Sequence, residues 1–272
     1  MHVVDLEYPL SSPAYKPHAA SLSEALTVES SLGISNLVFV QPSIYGNDNS
    51  CLLEAMESLG PQHARGVVAF DPAIISKDEL HRWHHIGVRG VRVNLKSTGK
   101  TPSSKELSDL LWAYAEVIRP LDWVLQLYLD MENLPSLEDT IPNLGVKVCL
   151  DHFASPWIPP NSKSRAPIDP YDLEGFDSLM ALLRQGNTYV KFSAAYRLSP
   201  DPNSKDVEAI AREILRVAHG RVVFATDWPH TRFDGLDIAP YVQQCLDWCD
   251  GNNKRVERVF RKNAEELWDV QS

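Results

Sequence analysis

The residues with the clearest chemical potential lie directly after apolar runs that predict β-strands. Asp151-His152 follows one such run, and Thr226-Asp227-Trp228-Pro229-His230 closes the last one. A carboxylate such as that of Asp227 can take a proton from water. A histidine or tyrosine can donate a hydrogen bond to the oxyanion of a tetrahedral intermediate. Residues of these types at strand ends are compatible with hydrolytic chemistry.

Several other predicted strands also end in polar residues. These strand ends carry Gln41, Ser43 and Tyr45; Arg89, Arg92 and Asn94; Gln126, Tyr128 and Asp130; and Tyr196 and Arg197. Buried polar groups are costly unless they are paired or used, so their convergence at one end of a barrel predicts a site there. Arg89 and Arg92 lie three residues apart in one strand and face opposite sides. We expect Arg92 to face the inside of such a barrel and Arg89 to pair with a carboxylate outside it.

Eight short apolar or β-rich segments position these residues. They are 2–5, 36–41, 66–70, 88–94, 123–130, 147–152, 188–194 and 222–227. Several are almost continuously apolar, which is typical of strands in a parallel sheet that is buried on both faces. The polar residues above would then meet at the carboxyl ends of these strands.

Helical segments alternate with the strands. We predict helices over 22–32, 50–59, 77–86, 104–118, 134–143, 175–185, 205–219, 237–249 and 253–268. Ser21 and Glu24 form a capping-box pattern, and Gly60 is a helix stop signal. The alternation predicts an α/β fold, a (β/α)8 TIM barrel that uses residues 1–272 as one domain. An open doubly wound sheet is disfavoured because no Gly-x-Gly-x-x-Gly turn follows a strand.

Charge and composition narrow the function classes. The chain has 272 residues, 44% of them hydrophobic, and a net charge of −10. Nucleic acids and anionic membranes require a basic face, so neither is an expected partner. Arginines clustered in a site can still bind a small anion. The sequence lacks an apolar run of about 18 residues and a secretory signal pattern, which favours a cytoplasmic protein with free thiols at its four cysteines.

The combination of motifs resembles the amidohydrolase-related family, and within it the metal-independent 2-pyrone-4,6-dicarboxylate lactonases. The resemblance runs over nearly the whole chain. It is carried by the segment from Val40 to Asn49, by Gly87-Val-Arg-Gly-Val-Arg-Val-Asn94, by Asp151-His152, by Lys191-Phe-Ser-Ala-Ala-Tyr-Arg197 and by the motif around Asp227. The order of these motifs is specific, whereas each alone is weak. The resemblance implies a TIM-barrel hydrolase.

The resemblance also implies individual roles. Asp227 corresponds to the aspartate that activates water. His152, Tyr128 and His2 correspond to the group that polarises the substrate carbonyl. The expected substrate contacts come from His2, Tyr15, Ser43, Tyr45, Arg92, Arg197 and His230. Arginines can bind a carboxylate through two parallel hydrogen bonds, so the expected partner is a small carboxylate-bearing lactone or related ester.

The sequence departs from the family pattern at two places. The family's first strand carries His-x-His, whereas this chain begins Met1-His2-Val3, so we expect an incomplete first strand and consider a truncated start. The lactonases also carry an arginine shortly after the fourth strand, where this chain has Lys96 and Lys100. Lysine supplies the charge without the bidentate fork, which disfavours a dicarboxylate substrate.

Three functions therefore stay open at this point. The first is a metal-independent lactonase or carboxylic-ester hydrolase that needs no cofactor. The second is a metal-dependent hydrolase or decarboxylase, with one zinc or manganese ion held by His2, His152 and Asp227. The third is an inactive barrel that binds a small acid. The sequence does not determine the oligomeric state.

Overall fold

Seven parallel strands form one sheet in which each strand pairs with the next along the chain. The computed structural model describes residues 1–11, 17–99, 101–159 and 166–270. The strands are β1 (Leu37–Val40), β2 (Ala64–Val68), β3 (Val88–Asn94), β4 (Val124–Tyr128), β5 (Val148–Leu150), β6 (Thr188–Phe192) and β7 (Val222–Phe224). The register places Arg92 beside Gln126 and Asn94 beside Tyr128. The predicted α/β barrel is confirmed, with its first strand incomplete.

The N-terminal segment lies in the seam between β7 and β1. The amide of Val40 donates to the Met1 carbonyl at 2.9 Å, and the amide of His2 donates to the Trp228 carbonyl at 2.8 Å. Val4 forms only an isolated antiparallel bridge with Ala20. These few bonds do not make a ladder, so the prediction of a regular strand over 2–5 is wrong. The segment nevertheless joins the two edge strands and brings His2 to their carboxyl ends.

Helices surround the sheet on its outer face. They are α1 (Leu22–Ser31), α2 (Ser50–Leu59), α3 (Lys77–His85), α4 (Ser104–Ile118), α5 (Phe176–Gln185), α6 (Lys205–Ala218), α7 (Ala239–Asp247), α8 (Asn253–Glu257) and α9 (Asn263–Leu267). The capping box of Ser21 and Glu24 is confirmed. Among the described residues, no helix combines the length and apolarity needed to cross a membrane.

The helix predicted over 134–143 does not form. Two 3₁₀ segments, Met131–Leu137 and Ile141–Asn143, take its place. Pro135 and Pro142 explain the difference, because each lacks the N–H that an α-helix needs in its interior. In the last predicted helix, a π-helical segment, Arg258–Lys262, separates α8 from α9.

Apolar side chains fill the end of the barrel opposite to the polar strand ends. Leu267 and Trp268, at the end of α9, pack in one buried cluster with residues from six strands: Val40, Val67, Val124, Cys149, Tyr189 and Val223. A larger apolar layer lies between the sheet and the helices. The lumen is thus closed at one end, and the polar residues of the strands occupy the other.

Gly90 allows Trp268 to lie against β3. A Cβ atom at this position would lie 2.8 Å from the Val124 carbonyl oxygen and 3.1 Å from Trp268 Cζ3. Overpacking of this kind costs about 1–3 kcal/mol, so we predict that Gly90→Ala lowers the free energy of unfolding by that amount in urea denaturation. Gly220→Ala is the control, because its Cβ would only approach Arg258 at 3.7 Å. Equal stability of the two variants would contradict the packing described.

Candidate active site

Three of the predicted site residues have strained backbone conformations. Asp227, His152 and His230 have φ values of 60°, 52° and 57°. The left-handed region disfavours residues with a Cβ, and such strain of about 1–3 kcal/mol per residue clusters at functional sites. His152 also begins four consecutive left-handed residues that end at Ser155. The backbone therefore supports a site at the carboxyl ends of β5 and β7.

The two carboxylate oxygens of Asp227 have different environments. Oδ2 accepts a hydrogen bond from the Tyr196 hydroxyl at 2.6 Å and one from Arg197 Nε at 3.1 Å. Oδ1 faces His152 Nε2 at 3.9 Å. Burial alone raises the pKa of Asp227, but His152, Arg197 and His2 together with the Tyr196 hydrogen bond outweigh it and hold that pKa well below its usual range. Asp227 is therefore a carboxylate at neutral pH.

His152 lies between Asp227 and Tyr128. Its Nδ1 is 2.7 Å from the Ser193 hydroxyl, and the Tyr128 ring meets its ring edge-on with 4.8 Å between centroids. Burial lowers the pKa of His152, although Asp227 and Asp151 oppose that shift. When a neutral imidazole accepts a hydrogen bond from the Ser193 hydroxyl at Nδ1, its own proton is on Nε2. His152 can then donate a hydrogen bond toward the space beside Asp227.

A second buried carboxylate, Asp151, anchors the floor of the site. Arg92 donates to its Oδ2 through Nε at 3.1 Å and Nη2 at 3.0 Å. Lys191 lies 2.9 Å from its Oδ1, and Gln126 Nε2 lies 2.9 Å from the same oxygen. Burial raises the pKa of Asp151, but Lys191 and Arg92 outweigh it and hold the pKa far below its usual range.

The structure brings most of the predicted residues to one small cavity. Its lining includes seven of them: His2, Ser43, Arg92, Tyr128, His152, Arg197 and Asp227. Tyr45 is not among its lining residues, because its hydroxyl instead donates to the Asp5 carbonyl at 2.6 Å. His230 is also not among the lining residues. It lies next to Tyr196, with its Nδ1 3.5 Å from the Tyr196 hydroxyl. Tyr15 lies outside the described residues. The prediction that Arg89 turns away is confirmed, since it pairs with Asp269 at 3.0 Å.

Sequence reasoning missed several residues at the site. The cavity is also lined by Asn94, Ser97, Thr231 and Arg232, and Tyr196 contacts Asp227 directly. Asn94 and Tyr196 were among the polar residues at the predicted strand ends, so their position in the sequence could have indicated that they belong to the site. Thr231 and Arg232 follow the last motif in a segment without a regular pattern, which gave no signal.

The site has an excess of positive charge although the protein has a net charge of −10. Arg92, Arg197 and Arg232 line the cavity together with one carboxylate, Asp227. Lys191 and Asp151 lie in the adjoining lumen. Among the residues that the structure describes, four cationic side chains therefore lie around two carboxylates at this end of the barrel. In a cleft of low dielectric constant, such an excess attracts small anions.

The proposed metal ligands do not form a metal-binding group. His2 Nδ1 is engaged by the Val40 carbonyl at 2.7 Å, and Asp227 Oδ2 is engaged by Tyr196 and Arg197. Within the part of the chain that the structure describes, no group of three His, Cys, Asp or Glu side chains is arranged to hold a metal ion. The cationic arginines beside Asp227 also oppose a divalent cation.

A buried carboxylate and a neutral histidine at the carboxyl ends of barrel strands fit an α/β-barrel hydrolase. Comparison with known proteins gives the same class. The family model described as amidohydrolase matches residues 8–270. The chain therefore belongs to the amidohydrolase family, and it is a hydrolase.

Two similar proteins of known name are hydrolases. The chain is 31% identical over 248 residues to a 2-pyrone-4,6-dicarboxylate hydrolase of Comamonas testosteroni, covering 84% of this chain and 76% of that protein. It is 29% identical to a 4-sulfomuconolactone hydrolase of Hydrogenophaga intermedia, covering 96% and 84%. A solved Pseudomonas putida structure, assigned as a 2-pyrone-4,6-dicarboxylic acid hydrolase, has 26% identity, a TM-score of 0.80 and coverage of 100% and 96%.

The Asp151 cluster can be tested by removing its charge. Asp151→Asn leaves Arg92 and Lys191 buried without a counterion, which typically costs about 3–5 kcal/mol. Because the folded pKa is depressed, the stabilisation is complete above the unfolded value of about 3.9 and is lost as the pH falls below it. We therefore predict a large loss in the free energy of unfolding at pH 7 that shrinks below pH 4, measured by denaturant titration.

The matched control is Asp109→Asn. Its partner Lys105 and Asp109 itself have side chains that are 83% and 63% exposed, and such surface pairs contribute at most about 1 kcal/mol. A similar stability of the two variants at pH 7 would show that Asp151 does not anchor the site.

Proposed function

We propose that the protein is a metal-independent lactonase that hydrolyses a small carboxylate-bearing lactone, with Asp227 as the base. One observation carries the proposal. Asp227 is a buried carboxylate whose Oδ2 is fixed by Tyr196 and Arg197 while its Oδ1 faces His152 across 3.9 Å. A water molecule bound beside Oδ1 would be held next to a base and an oxyanion donor at the same time.

Hydrolysis begins with proton transfer from this water to Asp227. The resulting hydroxide adds to the lactone carbonyl carbon, and the carbonyl oxygen becomes an oxyanion. His152 Nε2 and the Tyr128 hydroxyl stabilise that oxyanion by hydrogen bonding. The ring C–O bond then breaks, and protonated Asp227 returns its proton to the departing oxygen. The product contains the atoms of one lactone and one water, and Asp227 is again ionised for the next turnover.

The arginines bind the carboxylate of the substrate. Arg92 is held by Asp151 on the side away from the cavity, and Arg197 is shared between Asp227 and the Thr231 carbonyl. When Arg197 turns toward a substrate carboxylate, Asp227 loses part of its counter-charge, and its basicity rises. A low pKa in the free enzyme is therefore compatible with a base that acts only when substrate is bound.

The relatives support the substrate class. Two of them are named for lactones that carry acidic groups, 2-pyrone-4,6-dicarboxylate and 4-sulfomuconolactone. The positive charge around the cavity suits such anions. Lys96 is not among the lining residues of the cavity and pairs with Asp130. Its charge is therefore partly neutralised, which favours a substrate with one carboxylate in the cavity over a dicarboxylate.

The central test uses a panel of lactones that contains 2-pyrone-4,6-dicarboxylate, 4-sulfomuconolactone and monocarboxylate lactones. We expect the wild-type protein to hydrolyse at least one of them. Asp227→Asn removes the base and should lower kcat by about 10²–10⁴-fold, whereas Asp109→Asn should leave kcat unchanged. An Asp227→Asn variant with wild-type kcat would refute the mechanism. A folded wild-type protein that binds these acids without hydrolysing them would support the inactive small-acid-binding barrel.

A chelation experiment tests the metal-independent chemistry. Because the donors of His2, His152 and Asp227 are engaged elsewhere or flanked by cations, we predict that kcat survives exhaustive dialysis against EDTA. Added zinc or manganese should not increase it. Loss of activity on dialysis, restored by one equivalent of either metal, would instead support a metal-dependent hydrolase or decarboxylase.

A further inference from the structure

Two adjacent residues bind the same oxygen of Asp227. The Tyr196 hydroxyl donates to Oδ2 at 2.6 Å, and Arg197 Nε donates to Oδ2 at 3.1 Å. Oδ1 accepts neither bond and faces His152. A carboxylate can rotate about its Cβ–Cγ bond, so the donors on Oδ2 decide which oxygen points toward the cavity.

The direction of the Tyr196 hydroxyl is fixed without Asp227. Tyr196 belongs to a 3₁₀ turn, Ala195–Arg197, that follows β6 and is preceded by Ala194 in the left-handed conformation, with φ 55°. Its ring packs against Phe233 with 4.6 Å between centroids and meets His230 edge-on at 5.9 Å. The ring is therefore held on two sides, and its hydroxyl can serve as a rigid reference for the carboxylate.

We propose that Tyr196 is a positioning residue that orients Asp227 so that Oδ1 acts as the base. This inference rests on the lactonase function proposed above, because it assigns the orientation of that base. Tyr196 does not touch the substrate in this scheme. Its role is to keep the carboxylate aligned with His152 throughout the reaction.

Arg197 cannot perform this role alone. Its guanidinium is the group that a substrate carboxylate would recruit, and it also donates to the Thr231 carbonyl at 3.1 Å. Once Arg197 turns toward the substrate, Tyr196 remains as the donor on Oδ2. A neutral hydroxyl fixes the carboxylate while lowering its basicity less than a full positive charge does. Tyr196 can thus orient Asp227 without neutralising its negative charge.

The electrostatic surroundings of Asp227 agree with this division. His152, Arg197 and His2 face it and lower its pKa, and the Tyr196 hydrogen bond lowers it further. Burial raises the pKa of Tyr196, and the charge of Asp227 raises it again, while Arg197 opposes both. Tyr196 therefore stays protonated and remains a donor. His230, the other titratable group against its ring, has a pKa that burial lowers.

Tyr196→Phe tests the proposal, because it removes the hydroxyl and keeps the ring. Misorientation of a catalytic group typically costs up to about 100-fold, so we expect kcat to fall about 10–100-fold while KM stays within about twofold. Losing the hydrogen bond raises the pKa of Asp227, so the acidic limb of the kcat profile should move to higher pH. Unchanged kcat and pH profile, or a rise in KM at constant kcat, would overturn the proposal.

Tyr114→Phe is the matched control. The Tyr114 hydroxyl donates to the Phe70 carbonyl at 2.7 Å, away from the site, so this variant should keep the wild-type kcat and pH profile. A general loss of stability would affect both variants alike. A kcat decrease of equal size in Tyr114→Phe would therefore overturn a positioning role.

A crystal structure of Tyr196→Phe grown with a monocarboxylate lactone provides a result that does not depend on turnover, because the bound carboxylate draws Arg197 away from Asp227 Oδ2 and leaves that oxygen without its second donor. We expect the Asp227 carboxylate to rotate away from the orientation with Oδ1 facing His152. A carboxylate that keeps this orientation would refute the role of Tyr196, even if the enzyme hydrolyses lactones. A rotated carboxylate in a protein that hydrolyses no lactone would support Tyr196 as the orienting group and reject the lactonase function, so the two failures are distinguishable.

Discussion

Two carboxylates buried at the mouth of a barrel impose the main constraint on this protein. A charge removed from water is very costly unless it is paired and hydrogen-bonded. Asp151 is satisfied by Arg92, Lys191 and Gln126, and Asp227 is satisfied by the residue pair that follows β6. These requirements fix side chains on β3, β4 and β6, after β5 and β7, and in the turn that follows β6. They leave one carboxylate oxygen directed into a cavity.

The amidohydrolase fold and much of the site were predictable from the sequence. The alternation of apolar runs and helices predicted the barrel, and strand position alone placed Asp227, His152 and Arg92 at the end of the barrel where the structure forms the cavity. Residues three apart in a strand face opposite sides, and this rule correctly predicted that Arg92 lies inside the barrel and Arg89 outside it. These features depend on local periodicity and on the rule that barrel sites lie at strand ends, both of which are visible in a single sequence.

The hydrogen-bond and ion-pair partners of individual side chains were not predictable in the same way. Arg197 and Arg92 were expected to bind substrate, yet each also holds a buried aspartate. Tyr45 was expected at the site, but its hydroxyl bonds the backbone of Asp5. Such contacts join residues far apart in sequence and depend on side-chain direction, which no local pattern encodes. Residues 2–5 failed as a strand because only a few backbone bonds tie them to the strands on either side.

The central claim is that Asp227 activates water rather than attacking the lactone itself. Its most direct test is a single turnover with excess enzyme in H₂¹⁸O, followed by mass spectrometry of the product and of the peptide that contains Asp227. The account predicts one ¹⁸O atom in the new carboxyl group of the first product and an unlabelled Asp227. An unlabelled first product together with ¹⁸O in Asp227 would show nucleophilic attack by the carboxylate and would contradict it.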